Sequence, residues 1–366
     1  MTTPLRHQVG QLIIAGLEGP ELTATERAWL KLIRPGGVIL FRRNIEEAGQ
    51  TLRLLHEVTE LIGTSNFRCV DLEGGLVDRL RDLITPMPSP SAVFATGNPA
   101  LFKRHGRLIA REARSLGFNA IFAPVLDLAL PASANVMRTR TVSPDPAKVT
   151  EYATAFLDGF AAEGILGCGK HFPGLGGGSL DSHHAMPVIQ RSWEEMWQQD
   201  ISPFRALSNS LPMIMVAHAA YPNASVNPVP ASISPFWITK ILRGKLNYQG
   251  LIISDDMEMG GILTQNSIEE ATVGAVAAGT DIIEICKDPV LVLRAYEALL
   301  FRAERSPIFR RRVQQASNHV LRFKRRRLSI PLPRRPPLLK QLGLEIKDFA
   351  QQIDTYSSSR PQSKQP

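Results

Sequence analysis

The sequence predicts a (β/α)8 barrel, a single α/β domain in which eight parallel strands alternate with helices, followed by a basic, proline-rich C-terminal extension. Three observations carry that prediction. Eight short apolar runs bounded by turn residues recur along the chain, helical patterns with explicit start and stop signals lie between several of them, and polar residues gather at the carboxyl ends of the runs. The runs are 11–15, 37–41, 68–71, 120–123, 165–170, 212–217, 251–254 and 281–285. Apolar stretches this short are what strands buried on both faces look like.

The helices follow from spacing and caps. Leu101, Leu108, Ile109 and Leu116 form an apolar stripe that ends at Gly117. Asp145-Pro146 supplies a cap and a first-turn proline, Val149, Tyr152, Ala153, Phe156, Phe160 and Ala161 make the buried face, and Gly164 closes the helix just before the next run. Ser192-Trp193-Glu194-Glu195 reads as a capping box for a further helix. No hairpin signal is strong enough to compete, so strands alternating with helices argue for the barrel. Asp71 and Glu73 follow the third run, Asp127 the fourth, Lys170 and His171 the fifth, His218 the sixth, and Asp255 and Asp256 the seventh. In a parallel barrel these ends share one face and converge on one pocket, whereas a doubly wound open sheet, the alternative fold, would set them in a crevice.

Composition sets outer limits. The chain has 366 residues, 44% hydrophobic and 21% charged, which excludes disorder and fibrous classes for most of its length. Met1 to Gln8 shows no basic segment followed by an apolar one, and no apolar run approaches the ~18 residues of a spanning helix. A soluble, cytoplasmic monomer is expected. Cys69, Cys168 and Cys286 lie far apart, odd in number and without metal-type spacing, so they read as buried structural thiols. The net charge is +8, yet twelve Lys and Arg against Glu304 alone lie between Arg302 and Arg335, which leaves the rest of the chain at about −3. The basicity therefore belongs to a solvated C-terminal helix face and tail, and nucleic acid is not an expected partner. Contact of Arg310 to Arg312 and Lys324 to Arg327 with an anionic surface is the alternative. The barrel is expected over residues 1–328. Residues 329–366, opening with Pro331, Pro333, Pro336 and Pro337, read as a partly disordered tail with at most a short helix around Leu342 to Ile353.

The chemistry concentrates between Lys170 and His184, where a cation, three imidazoles and a carboxylate surround a glycine-rich loop too polar for core. Asp181-x-His183 can set a carboxylate beside an imidazole, which fixes a tautomer and favours the protonated ring. Asp255 stands at the end of an apolar strand, where a carboxylate can act as nucleophile on a sugar. His183 could donate the proton, because imidazole titrates near neutrality. The run Gly174 to Gly178 has Ser179 where a dinucleotide fingerprint needs glycine, and no Lys-Ser/Thr follows, so nucleotide binding is not expected.

On these residues the chain resembles glycoside hydrolase family 3, in the branch of bacterial β-N-acetylglucosaminidases that use an Asp-His dyad. Lys170 to Pro187 is similar to the branch's K-H-F-P-G-H-G-x4-D-S-H motif, Val70 to Gly75 to V-D-x-E-G-G, Met215 to His218 to M-x-A-H, Pro230 to Ser232 to P-A-S, and Ser254 to Asp256 to S-D-D. The resemblance implies Asp255 as nucleophile, His183 as general acid and base, and Asp181 as its partner. It implies Asp71, Arg79, Arg140, Lys170 and His171 as sugar-gripping residues. By residue type alone, Asp71 and Arg79 could instead form an ion pair, Arg138 could take the place of Arg140, Glu73, Asp127, His184 and His218 read equally as orienters or contacts, and Asp256 reads as holding a neighbouring backbone. The resemblance further implies a retaining exo-β-N-acetylglucosaminidase acting on muropeptides in peptidoglycan recycling, without metal or organic cofactor. Four departures fall near the site: Leu72, Leu76, Leu175, and Arg138-Thr139 before Arg140. Rival readings are a phosphorylase on the same scaffold, a metal-dependent barrel hydrolase, which lacks an H-x-H motif here, and a non-catalytic muropeptide-binding protein.

Overall fold

All eight apolar runs become barrel strands. The computed structural model describes residues 3–180, 186–225, 229–328 and 338–359. In chain order the strands are β1 (Ile13–Gly16), β2 (Gly37–Leu40), β3 (Phe67–Val70), β4 (Leu72–Gly74), β5 (Val77–Asp78), β6 (Ala120–Ile121), β7 (Leu166–Phe172), β8 (Met213–Val216), β9 (Leu251–Asp256) and β10 (Ile282–Ile285). Eight of them close in the order β1-β10-β9-β8-β7-β6-β3-β2, every pairing parallel. Closure removes the open crevice that a doubly wound sheet would have offered.

One expectation is corrected. Beyond the barrel, β4 and β5 form a small antiparallel hairpin directly after β3, where no hairpin was anticipated. Its turn is Gly75-Leu76, entered from Gly74 at the end of β4; Gly74 and Gly75 are both at positive φ (90° and 62°), and a Cβ on Gly75 would lie 2.5 Å from the Cβ of Ser89. Only glycine suits those two positions.

The helices start where the caps said. Asp145 accepts from Ala147 N at 2.8 Å to open Pro146–Ala162, Asn98 caps Pro99–Ser115, and Ser192 and Glu195 make the reciprocal capping pair. Strand residues alternate between two apolar layers. Phe67, Cys69, Phe122, Cys168, Met215, Ile253, Ile282 and Cys286 fill the barrel interior, whereas Val70, Ile121, Ile283 and Ile285 pack outward beneath the helices. All three cysteines are free and buried, as expected.

The amino-terminal mouth is plugged by helix Pro307–Arg327. Val320 is in the interior cluster, and Phe323 meets Phe67 at 6.2 Å between ring centroids. This helix overturns part of the anionic-surface alternative. Lys324 is buried, its Nζ donating to Gln11 Oε1 at 2.8 Å beneath the Phe67 ring, and Arg312 donates to the carbonyls of Val276, Gly279 and Thr280. The apolar stripe of the helix reaches Lys324, so burial of its neighbours carries it inward.

Residues 329–337, the proline-arginine stretch, lie outside the described residues. Helix Leu339–Ser359 follows, longer at both ends than the short one expected. Leu342, Ile346, Phe349 and Ile353 bury one stripe in the outer core, and Arg111 forks onto Glu345, so this part of the tail is a packed element. No helix among the described residues is long and apolar enough to cross a membrane.

Candidate active site

The carboxyl ends of β3, β7, β9 and β10 and the segments that follow β3 and β6 supply the polar lining of one cavity of about 130 Å³. Asp71, Arg79, Arg140, Lys170, His171 and Asp255 all line it. Positions 184 residues apart thus meet, and they do so because parallel strands end on one face.

Lys170 organises the cluster. Its Nζ lies 2.8 Å from Asp71 Oδ1 and 2.7 Å from Glu73 Oε1. Arg140 grips both oxygens of Glu73 at 2.9 Å, and Arg79 stands 3.5 Å from Asp71 Oδ2. Burial pushes the Asp71 carboxyl up, but Lys170 and Arg79 outweigh it and hold it well below the usual carboxylate range. Glu73 is likewise pushed up by burial and pulled further down by Arg140 and Lys170, to about 2. Burial alone would strip Lys170 of its proton, yet Asp71 and Glu73 keep it charged. Three cations face two carboxylates, so the cluster presents one surplus positive charge to whatever enters.

His171 is set by Asp127. Asp127 Oδ2 bonds His171 Nδ1 at 2.6 Å, and Oδ1 accepts from Leu175 N at 2.6 Å, so one carboxylate fixes both a ring and the start of the glycine-rich loop. His218 is fully buried between Ser232 Oγ (2.7 Å) and the carbonyl of Asp256 (3.0 Å), and burial lowers its proton affinity. It orients the strand that carries Asp255. Asp256 Oδ1 accepts from the N–H groups of Cys286 (3.2 Å) and Glu258 (3.0 Å), holding neighbouring backbone, and burial pushes its carboxyl up to about 7.

Asp181, His183 and His184 lie outside the described residues. The residues on either side, Leu180 and Pro187, both line the cavity. Arg138 is exposed at positive φ, whereas Arg140 lines the cavity. Of the departures, Leu175 lines the cavity, Leu76 is exposed, and Leu72 packs into the outer core. Sequence reasoning missed Glu284 on β10 and Cys286 just after it, which also line the cavity. The signal was a glutamate set between the isoleucines of the eighth run, five positions before the proline that starts the next helix.

Residues 4–323 match the Glycosyl hydrolase family 3 N terminal domain. The chain belongs to glycosyl hydrolase family 3. It is similar to a β-hexosaminidase of Pseudomonas aeruginosa, 38% identical over 288 residues that make up 78% of this chain and 86% of that one. A β-hexosaminidase of Idiomarina loihiensis is 34% identical over 294 residues, 79% of this chain and 88% of the relative. Among solved structures, a family 3 β-N-acetylglucosaminidase of a Paenibacillus species superposes with a TM-score of 0.88 at 30% identity, covering 95% of this chain and 69% of that one. The protein is a glycoside hydrolase on a single-domain family 3 barrel.

Proposed function

We propose that this family 3 hydrolase is a retaining exo-β-N-acetylglucosaminidase. The observation that carries the reading is the placement of Asp255 on the wall of a cavity whose other side is the Asp71–Lys170–Glu73–Arg140 network. Charged groups that already hold one another in fixed geometry hydrogen-bond sugar hydroxyls strongly and reject a ligand that leaves them unpaired. Asp71, Arg79, Arg140, Lys170 and His171 play that part in this reading.

Asp255 attacks the anomeric carbon while the aglycone oxygen takes a proton from His183, whose ring is oriented and charged by Asp181. Water, deprotonated by His183, then releases the sugar from Asp255 with net retention. Support for this pairing comes from the motif that contains Asp181 and His183 and from Leu180 and Pro187, which bring the two ends of that segment to the cavity. The names of the relatives support N-acetylhexosamine as the sugar. Muropeptide fragments in cytoplasmic peptidoglycan recycling are the substrates that the family resemblance favours.

The test is mass spectrometry after exposure to a 5-fluoro N-acetylglucosaminyl fluoride. A sugar adduct is expected on the peptide that contains Asp255. D255N is expected to lower kcat on an aryl β-N-acetylglucosaminide by at least ~10³-fold, and H183A by about 10²–10⁴-fold on a poor leaving group. Parent-like rates in both variants would end the reading.

A further inference from the structure

Glu284 is 2% exposed, lies on β10, shares the inward parity of Ile282 and Cys286, and lines the cavity together with Asp71, Asp255 and Asp256. Its Cα is the register partner of Asp256. Its backbone is held on both sides: the N–H donates to Ser254 Oγ at 3.0 Å, and the carbonyl accepts from Met257 N at 2.8 Å. The Cys286 thiol donates to Oε1 at 3.3 Å. The position of the side chain is therefore fixed by its own strand and by β9.

What Glu284 lacks is a cation. Among the described residues no Lys, Arg or His pairs with it, and Lys170 is already shared by Asp71 and Glu73. The titratable groups that face it are Asp71 beyond β3, Asp255 and Asp256 on β9, and the thiols of Cys69, Cys168 and Cys286. Neighbouring β1, Ile13–Gly16, offers none. A further anion here would be buried among carboxylates with nothing to balance it. Burial, with Asp71 and Asp256 behind it, accordingly pushes the Glu284 carboxyl well above the ordinary range, and it keeps its proton.

A protonated carboxyl has one O–H to donate. With Oε1 taken by the thiol, Oε2 has no protein partner among the described residues, and it is not sealed away from the cavity either. A donor left open on the wall of a sugar pocket needs an acceptor from the ligand. An N-acetylhexosamine carries suitable oxygens in its ring hydroxyls and its acetamido carbonyl. A lysine or arginine in this place would also donate, but its charge would neutralise the neighbouring Asp255, whereas a neutral acid binds the sugar and leaves the nucleophile its charge.

We propose that Glu284 is a specificity-determining residue, a neutral carboxylic acid that donates a hydrogen bond to an acceptor oxygen of the bound N-acetylhexosamine. The proposal rests on the functional reading above and adds a contact that the family motifs do not contain. The experiment measures kcat and KM of the parent, E284L and E284Q on 4-nitrophenyl N-acetyl-β-glucosaminide, with thermal melting as the check on folding. E284L fills the space without a donor and is expected to raise KM roughly tenfold while kcat moves less than about threefold. E284Q supplies an uncharged N–H donor and is expected to bring KM back to within about threefold of the parent. A folded E284L with the parent's KM overturns the proposal, as does an E284Q no better than E284L. Should E284L fail to fold, E284Q decides alone: a KM near the parent's supports the proposal and a tenfold rise overturns it. A parent inactive on this substrate overturns the functional reading, and the proposal falls with it. An active parent with an indifferent E284L overturns this proposal only.

Discussion

Two lysines are buried at opposite mouths of the same barrel, Lys170 at 3% exposure and Lys324 at 1%, and their surroundings send them in opposite directions. Lys170 touches two carboxylates and is held above its ordinary proton affinity. Lys324 touches an amide oxygen and an aromatic ring, and burial pulls it down to about 7. Burial by itself therefore says little about charge; the partners decide. At the carboxyl-end mouth the cations hold Asp71 and Glu73 ionised, whereas Asp256 and Glu284, which no cation touches among the described residues, are pushed towards the neutral form. At the plugged mouth a lysine serves as a long apolar stem whose tip gives up its proton far more readily than a free lysine.

The largest effect is expected from removing the lysine that has partners. Lys170→Met leaves Asp71 and Glu73 facing one another, and is expected to abolish at least ~10³-fold of kcat/KM and to cost about 3–5 kcal/mol in denaturant unfolding. Its loss also exposes a linkage. Glu73, depressed to about 2 from an ordinary 4.5, contributes stability that is present above pH 4.5 and lost as the pH falls towards 2. In Lys170→Met the Glu73 carboxyl is held down less, so this contribution is expected to shrink and its loss to be complete at a higher pH than in the parent, which acid titration of stability would register.

At the plugged mouth, Arg312→Ala is expected to cost about 2 kcal/mol, since three backbone carbonyls lose their donor at once. Lys324→Met acts with the opposite sign. Because the folded Lys324 gives up its proton near 7 and the unfolded one near 10.5, parent stability rises with pH between those values and is fully penalised below 7. Lys324→Met is expected to be about 1–2 kcal/mol more stable than the parent at pH 6, the rest of the gain being offset by the stranded Gln11 oxygen, and to lack that pH dependence. A variant less stable at pH 6 would mean that Lys324 is charged and paired, and the contrast would collapse. The smallest effect belongs to exposed Arg325, where alanine is expected to change stability by less than about 0.5 kcal/mol and kcat not at all.

Much of this was legible beforehand, for a physical reason. Strands buried on both faces leave uninterrupted apolar runs, so 37–41 and 251–254 could hardly be anything else, and in a parallel barrel the polar residue after each run is delivered to one face. Asp71, Lys170, His171 and Asp255 were found that way. Other features carried weaker traces. Strand β6 is only Ala120–Ile121, close to Pro124, which cannot donate to a ladder. The Gly74-Gly75 dipeptide that leads into the hairpin turn is visible in the sequence but coincides with a family motif, which hides its turn signal. Glu284 and Lys324 sit on buried stripes set by Ile282 and Val320, and a polar residue on such a stripe is easily taken for an exception when it marks a pocket or a plug. The helix at Leu339–Ser359 was underestimated because the prolines before it dominate the composition of the tail.

In the closed ring, β3 and β9 stand four strands apart whichever way one counts. Asp71 and Asp255, at the ends of those strands, therefore sit across a full diameter, and their separation is fixed by girth and not by any loop. Phe122 and Met215 fill the space between these two poles. Trimming or enlarging either would rescale the seat for the ligand while every polar group stayed where it is, so apolar packing doubles here as a ruler.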